Sequence, residues 1–150
     1  MAGFALAGGF SASGLDRAVG ELLEPHLHVA PVFMVLIIGL VTTFLTEVTS
    51  NTATTAALLP IMRGTGLALR MHPLLFMLPA TLSASCAFML PVATPPNAII
   101  FGSGRVSMGR MAAAGIILNI IGALLITAVM FLLAAPAFDI SLQLPAWAVK

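Results

Sequence analysis

Two short polar stretches interrupt long apolar runs, and their residue types could bind ions. Residues 46–52 read Thr-Glu-Val-Thr-Ser-Asn-Thr, and residues 93–97 read Ala-Thr-Pro-Pro-Asn. Inside a lipid bilayer a helix can break only where protein or a hydrated cavity supplies partners for its backbone. We expect the helix after each break to begin with free N–H groups and the positive end of its dipole. Paired interrupted segments of this kind are typical of the binding sites of secondary transporters.

Apart from Glu47, the polar side chains at the two breaks are neutral, because they carry hydroxyl and amide groups but neither ammonium nor guanidinium. Helix N-termini stabilise an anion by up to about 2 kcal/mol each, whereas removing a carboxylate from water costs several kcal/mol. The dipoles alone are therefore insufficient for a divalent anion. Alkali cations bound through oxygen ligands would supply the difference, so we expect a small divalent anion and sodium to bind together. The polar break residues are Thr46, Thr49, Ser50, Asn51, Thr52, Thr94 and Asn97.

Composition places the chain in a membrane. Its 150 residues are 60% hydrophobic and 7% charged, with a mean hydropathy of +1.13, whereas about a quarter of the residues of soluble domains are charged. A net charge of +1 without a basic run argues against nucleic-acid binding. Cys86 is the only cysteine, which excludes an intrachain disulfide. The breaks contain no nucleophile with a neighbouring base, so we expect no enzyme activity.

The apolar runs predict an all-α integral membrane protein that forms one membrane domain. Residues 1–15 are small and apolar and predict the end of a packed membrane helix. Residues 16–28 begin with an amphipathic stretch and predict an interfacial helix. Residues 111–138 predict a terminal transmembrane helix, and residues 139–150 are polar enough to leave the membrane as a tail.

Residues 29–62 form an apolar run that is too long for one crossing. A straight helix of this length would measure about 50 Å, against a hydrocarbon core of about 30 Å. The run either breaks and continues into the far aqueous layer or folds back. We favour a re-entrant helical hairpin with its tip at 49–52, because Pro60 and residues 64–66 are expected to end the second arm near Arg63, too early to span.

Residues 71–104 form a second overlong run, which predicts a broken transmembrane helix. Pro73, Pro79 and Pro91 each remove a helical hydrogen bond, and we expect the adjacent prolines of the loop at 93–97 to stop the helix outright.

Both breaks carry specific motifs. Residues 46–55 read Thr-Glu-Val-Thr-Ser-Asn-Thr-Ala-Thr-Thr, and residues 85–99 read Ser-Cys-Ala-Phe-Met-Leu-Pro-Val-Ala-Thr-Pro-Pro-Asn-Ala-Ile. With these motifs the chain resembles the divalent anion/sodium symporter family, which includes bacterial dicarboxylate and mammalian citrate and sulfate transporters. In that family Ser-Asn-Thr lies at the tip of a re-entrant hairpin, and Thr-Pro-Pro-Asn unwinds the following helix. The resemblance covers nearly the whole chain.

The resemblance implies specific ligands. Substrate carboxylates, most simply those of a C4-dicarboxylate such as succinate, would contact Ser50, Asn51, Thr52, Thr94 and Pro95. Co-transported sodium would be held by Thr46, Thr49 and Asn51, with the backbone of Ala93 adding an oxygen.

The resemblance also implies an architecture. Family members have two inverted repeats, and this chain corresponds to the second, so we expect it to be the C-terminal part of an elevator-type transporter. The full-length protein would be a homodimer in the lipid bilayer of the cell (inner) membrane, where it would be multi-pass, with an extracytoplasmic C-terminus.

Glu47 is the one charged residue inside an apolar run, and it leaves two alternatives open. It could be a proton-coupling carboxylate, which would make the protein a proton-coupled anion carrier, or a structural acid paired with an arginine. The polar breaks could also merely lock helices together in a non-transporting membrane scaffold, because serine and threonine in membrane helices often bond only neighbouring backbone.

Overall fold

The fold was analysed in a computed structural model that describes residues 9, 12–14, 30–145 and 148. The predictions for 1–15 and 16–28 lie outside these residues, apart from positions 9 and 12–14. Within the described part the chain forms helices and no strand, which confirms the all-α fold class there. The helices are α1 (Pro31–Thr46), α2 (Asn51–Ala68), α3 (Leu74–Ser83), α4 (Pro95–Gly102), α5 (Met108–Val129) and α6 (Ala135–Ala137), with a π-helical turn at Met130–Ala134 between the last two.

Helix α5, the π-helical turn and α6 together form one rod from Met108 to Ala137, where the sequence predicts a helix over 111–138. Its 30 residues make it the one described helix that is long and apolar enough to cross a membrane. The wider turn precedes Pro136, whose missing N–H leaves carbonyls of the preceding turn without their usual donor.

Helix α2 is longer than the sequence predicts. It runs 18 residues from Asn51 to Ala68, with Pro60 in its interior, so the predicted end of the second arm at 62 is wrong. Gly66 does not end the helix but allows close packing, because a Cβ at this position would lie 2.8 Å from the Cα of Pro73. The re-entrant path of α1 and α2 through a bilayer stays a prediction.

The second break is also longer than predicted. Helix α3 ends at Ser83, an irregular segment occupies 84–94, and α4 begins at Pro95. The predicted loop at 93–97 is therefore wrong in extent. Pro95 and Pro96 start a helix instead of stopping one, because the N–H groups of a first turn have no partner inside the helix in any case.

The two halves of α1 have different surroundings. Its N-terminal half contributes Met34 and Val35 to an apolar core with Leu75 and Phe76 of α3. Its C-terminal half instead buries the hydroxyls of Thr42, Thr43 and Thr46. Buried polar groups require hydrogen-bond partners, and Thr43 and Thr46 find theirs in the irregular segment 84–94.

Candidate functional site

The two breaks meet in one cleft. It has a volume of about 470 Å³ and is lined by residues 47–52 from the first break and 92–95 from the second. The predicted proximity of the breaks is therefore present in the fold. Among the described residues neither lysine nor arginine lines the cleft, and Glu47 is the one ionisable side chain in this described lining. A ligand in this cleft would meet neutral oxygens, backbone groups and one acid.

Glu47 is bonded to the backbone of the second break. Its Oε1 accepts hydrogen bonds from the N–H groups of Phe88 at 2.7 Å and Met89 at 2.9 Å. Its Oε2 accepts one from the N–H of Leu90 at 3.0 Å. The Nδ2 of Asn119 on α5 also donates to Oε1, at 2.9 Å. One of the two alternatives for Glu47 paired it with an arginine; among the described residues its hydrogen-bond donors are instead three backbone amides and one carboxamide.

Threonines at the end of α1 bond the carbonyls of the same segment. The Oγ1 of Thr43 donates to the carbonyl of Cys86, and that of Thr46 lies 2.9 Å from the carbonyl of Ala84. If α3 continued past Ser83, the N–H groups and carbonyls of this segment would bond each other within the helix. Instead Glu47 accepts the N–H groups, and the threonines donate to the carbonyls. This exchange of partners explains why α3 stops at Ser83.

Thr46, which is buried, and Asn51, which lines the cleft, form an oxygen-rich cluster. The Oγ1 of Thr46 lies 2.6 Å from the Oδ1 of Asn51 as well as 2.9 Å from the carbonyl of Ala84. A hydroxyl has one proton and can donate it to only one of these oxygens at a time. Three oxygens therefore share one proton, and a bound cation would stabilise such a group.

The hydroxyl of Thr49 is engaged in local contacts. It donates to the carbonyl of Leu45 at 2.8 Å and lies 2.6 Å from the hydroxyl of Thr54. Both contacts lie within residues 45–54, so the hydroxyl of Thr49 is already engaged by its own break.

The two helix starts differ in what they offer an anion. Helix α2 begins without a side-chain cap at Ser50, and the N–H groups of 51–53 have no partner among the described contacts. Helix α4 begins with two prolines, which have no N–H, and the N–H of Asn97 is capped by the Oγ1 of Thr94 at 3.4 Å. The expectation of free N–H groups at both breaks is therefore wrong for α4.

Asn97 in the first turn of α4 also stabilises the irregular segment 84–94. It is 7% exposed, and its Nδ2 donates to the carbonyls of Ala87 at 2.9 Å and Leu90 at 3.0 Å. Its role in the fold is to attach segment 87–90 to the start of α4.

The amino-acid sequence is similar to those of known proteins. The family described as the sodium:sulfate symporter transmembrane region matches residues 1–137. The chain belongs to this family. Its relatives include transporters, which confirms the expectation that it is not an enzyme.

Three relatives illustrate the similarity. The sodium-dependent dicarboxylate transporter SdcS of Staphylococcus saprophyticus is 46% identical over 143 residues, 95% of this chain and 28% of that protein. Solute carrier family 13 member 2 of Mus musculus is 50% identical over 146 residues, 97% of this chain and 25% of that protein. Solute carrier family 13 member 2 of Oryctolagus cuniculus is 49% identical over 146 residues, 97% of this chain and 24% of that protein. The chain spans about a quarter of the length of these curated relatives.

The predicted ligands of this symporter-family chain lie together. The five predicted substrate ligands all line the cleft, and so do three of the four predicted sodium ligands; the fourth, Thr46, is fully buried behind Asn51. The cleft residues among them are Thr49, Ser50, Asn51, Thr52, Ala93, Thr94 and Pro95.

Two residues of α5 hold the site; the sequence indicated Gly115 only as part of a helix-packing face and did not indicate Asn119. Asn119 is fully buried and bonds Glu47. Gly115 lies one turn earlier, where a Cβ would come within 2.5 Å of the Cα of Met89. A signal for Asn119 existed, because a single amide in an apolar transmembrane segment usually bonds a neighbouring helix.

Proposed function

We propose that this chain forms one part of a sodium-coupled symporter of small divalent anions, with C4-dicarboxylates such as succinate as the favoured substrates. The observation that carries the proposal is the cleft that both breaks form, whose described lining has neutral donors and acceptors and one acid, Glu47, but no cationic side chain. The relatives named sodium-dependent dicarboxylate transporters support the choice of ion and substrate.

The anion would bind at the start of α2. Helix α2 starts at the cleft with Asn51 and Thr52 in its lining, the N–H groups of 51–53 have no partner among the described contacts, and the hydroxyls of Ser50, Thr52 and Thr94 add donors. Pro95 contributes only contact surface, because it has no N–H. These donors are too few to replace the hydration of two carboxylates, so anion binding requires a cation nearby.

Sodium would bind at the oxygen cluster. The Oγ1 of Thr46 and the Oδ1 of Asn51 are already 2.6 Å apart, and backbone oxygens of Thr49 and Ala93 would complete the ligand set. The two ligands would then stabilise each other by mutual attraction, which is the physical basis of coupling.

The proposed architecture is the second inverted repeat of an elevator-type homodimer in the cell (inner) membrane. Helix α1 has 16 residues and spans about 24 Å, which is shorter than a hydrocarbon core of about 30 Å. Its length favours a re-entrant arm over a crossing. The dimer, the multi-pass placement in lipid and the extracytoplasmic C-terminus rest on the family resemblance.

The experiment is uptake of labelled succinate into proteoliposomes that contain the full-length protein as its gene encodes it. We expect uptake with an inward sodium gradient and little with an equal potassium gradient. Asn51→Ala should abolish sodium-dependent uptake, whereas Gln143→Ala, which removes an exposed amide away from the cleft, should not. Sodium-independent uptake would contradict the proposal.

A scaffold without transport activity predicts a different result. In that case Asn51→Ala and Asn97→Ala would lower the thermal stability but leave the sodium- and succinate-induced shifts of the melting temperature unchanged. A proton-coupled carrier that uses Glu47 would show pH-driven uptake that Glu47→Gln abolishes.

A further inference from the structure

Glu47 links three elements: the first break, the second break and helix α5, which supplies none of the proposed ligands. It follows α1 directly and lines the cleft together with residues 48–52 of the first break. Its two oxygens accept the N–H groups of three consecutive residues, 88–90, from the second break. Asn119 of α5 donates the fourth hydrogen bond. We propose that Glu47 and Asn119 are positioning residues that hold segment 88–90, and with it Ala93 and Thr94, opposite Asn51.

The position of segment 88–90 determines that of the ligand-bearing residues behind it. The N–H of Ala93 donates to the carbonyl of Leu90 at 3.2 Å, which closes a tight turn between them. A displacement of Leu90 would therefore move the backbone of Ala93 and the side chain of Thr94. Glu47 holds Leu90 through its N–H, and Asn97 holds it through its carbonyl.

Asn119 is placed for this one contact. It is fully buried and donates from Nδ2 to Glu47, while its Oδ1 has no partner in the part of the chain that the structure describes. A buried oxygen without a donor is unfavourable, so the contribution of Asn119 lies in its N–H bond. Gly115 on the same face allows α5 to touch the backbone of Met89, which places the carboxamide within reach.

The chemistry of the contact requires two acceptor oxygens. A carboxylate accepts all four N–H groups, and hydrogen bonds to a charged acceptor are about twice as strong as neutral ones. Glu47→Gln replaces one oxygen with an NH2 group, which cannot accept from a backbone amide. The substitution keeps the size of the side chain, so it changes the bonding without opening a cavity.

Hydrogen–deuterium exchange of the full-length protein in detergent tests the positioning role directly. We expect Glu47→Gln to accelerate exchange of the amides of 88–90 by about ten- to a hundredfold, the equivalent of one lost hydrogen bond to a charged group. Exchange within 122–127 of α5 should stay as in the wild type. Unchanged exchange at 88–90 would overturn the proposal, and it would do so whether or not the protein transports succinate.

A second variant covers the case in which Glu47→Gln does not fold. Asn119→Ala leaves the three backbone contacts of Glu47 in place and should accelerate exchange at 88–90 by about threefold or more. Thr127→Ala is the matched control, because it removes another buried polar group of α5 whose hydroxyl bonds only the carbonyl of Ala123 in its own helix. Equal exchange at 88–90 in the two variants would contradict the role of Asn119.

Transport kinetics distinguish positioning from proton transfer, and this readout rests on the proposed function. With Glu47→Gln we expect the KM for succinate to rise by about tenfold, equivalent to one misplaced hydrogen bond, while the pH profile of uptake keeps its shape. Loss of the pH dependence in this variant would overturn the positioning role in favour of a proton carrier. If the wild-type protein takes up no succinate, the proposed function fails, and the exchange experiment still decides the inference.

Discussion

The Nδ2 of Asn119 lies 2.9 Å from the Oε1 of Glu47, although 72 positions separate the two residues in the chain. This contact connects the long apolar helix α5 with the first break, and Glu47 connects it onward with the second. The site is therefore built by three elements, and its loops are fixed by hydrogen bonds to side chains instead of by regular structure. Changes on α5, outside the cleft, should alter the cleft.

Gly115→Ala tests the contact between α5 and the second break. A Cβ at this position would lie 2.5 Å from the Cα of Met89, so either α5 or the segment 88–90 must move. We expect a loss of about 1–3 kcal/mol of stability, as for overpacking elsewhere, measured as a lower melting temperature in detergent, together with weaker succinate uptake.

Gly109→Ala is the control for this change. It lies on the same helix, and a Cβ there would meet nothing within 4 Å. Alanine is a better helix former than glycine by about 1 kcal/mol, so this variant should be as stable as the wild type or slightly more stable. If the Gly115→Ala protein has the same melting temperature as the Gly109→Ala protein, α5 does not pack closely on segment 88–90.

Thr46→Val tests the oxygen cluster. The change keeps the shape of the side chain but removes the hydroxyl that lies 2.6 Å from the Oδ1 of Asn51. We expect the sodium concentration for half-maximal thermal stabilisation to rise by about tenfold, the equivalent of one lost ligand contact. Thr127→Val removes a buried hydroxyl that bonds only its own helix and should leave the sodium dependence unchanged. Identical sodium curves for the two variants would argue against the cluster as a cation site.

Local signals in the sequence identified the two breaks but not their extent. The polar residues and prolines in apolar runs showed where regular structure fails, and the breaks do line one cleft. The irregular segment nevertheless begins at 84, because Glu47 bonds amides that are 41 to 43 positions away. Such long-range partners leave no trace in helical periodicity.

Glycine was the other source of error. The sequence predicts that Gly66 helps to end a helix. In the structure Gly66 lies inside α2 and packs against the backbone of Pro73, which follows that helix. A glycine that ends a helix and a glycine that permits close packing are the same letter in the sequence, and only the neighbouring element distinguishes them. The ligand assignments came from the family motifs and were independent of these errors.

Asn97→Asp tests whether Asn97 acts through its donors. The Nδ2 of Asn97 donates to the carbonyls of Ala87 and Leu90, and an aspartate of the same size lacks those N–H groups. A buried acceptor left without a donor costs about 1–3 kcal/mol, so both Asn97→Asp and Asn97→Ala should lower the melting temperature. A stable Asn97→Asp protein would contradict this role, because its shape is retained and only the donors are lost.

His72 should make the stability of the connection between α2 and α3 depend on pH. It lies between these two helices, is 5% exposed, and its Nδ1 accepts the N–H of Leu74 at 3.2 Å. Burial lowers the pKa of His72, and the charge of Asp139 opposes this only in part. The folded state therefore binds fewer protons than the unfolded state, so stability falls as the pH drops below about 6.5, the ordinary pKa of histidine, until the lowered pKa is reached.

Melting temperatures of the wild type and of His72→Gln between pH 8 and pH 5 measure this effect, because glutamine does not titrate but can still accept the N–H of Leu74. We expect the wild type to lose several degrees relative to the variant at the acidic end and to match it at pH 8. Asp139→Asn removes the opposing charge, which should lower the pKa of His72 further and extend the loss to lower pH. Parallel curves for wild type and His72→Gln would show that protonation of His72 does not affect the fold.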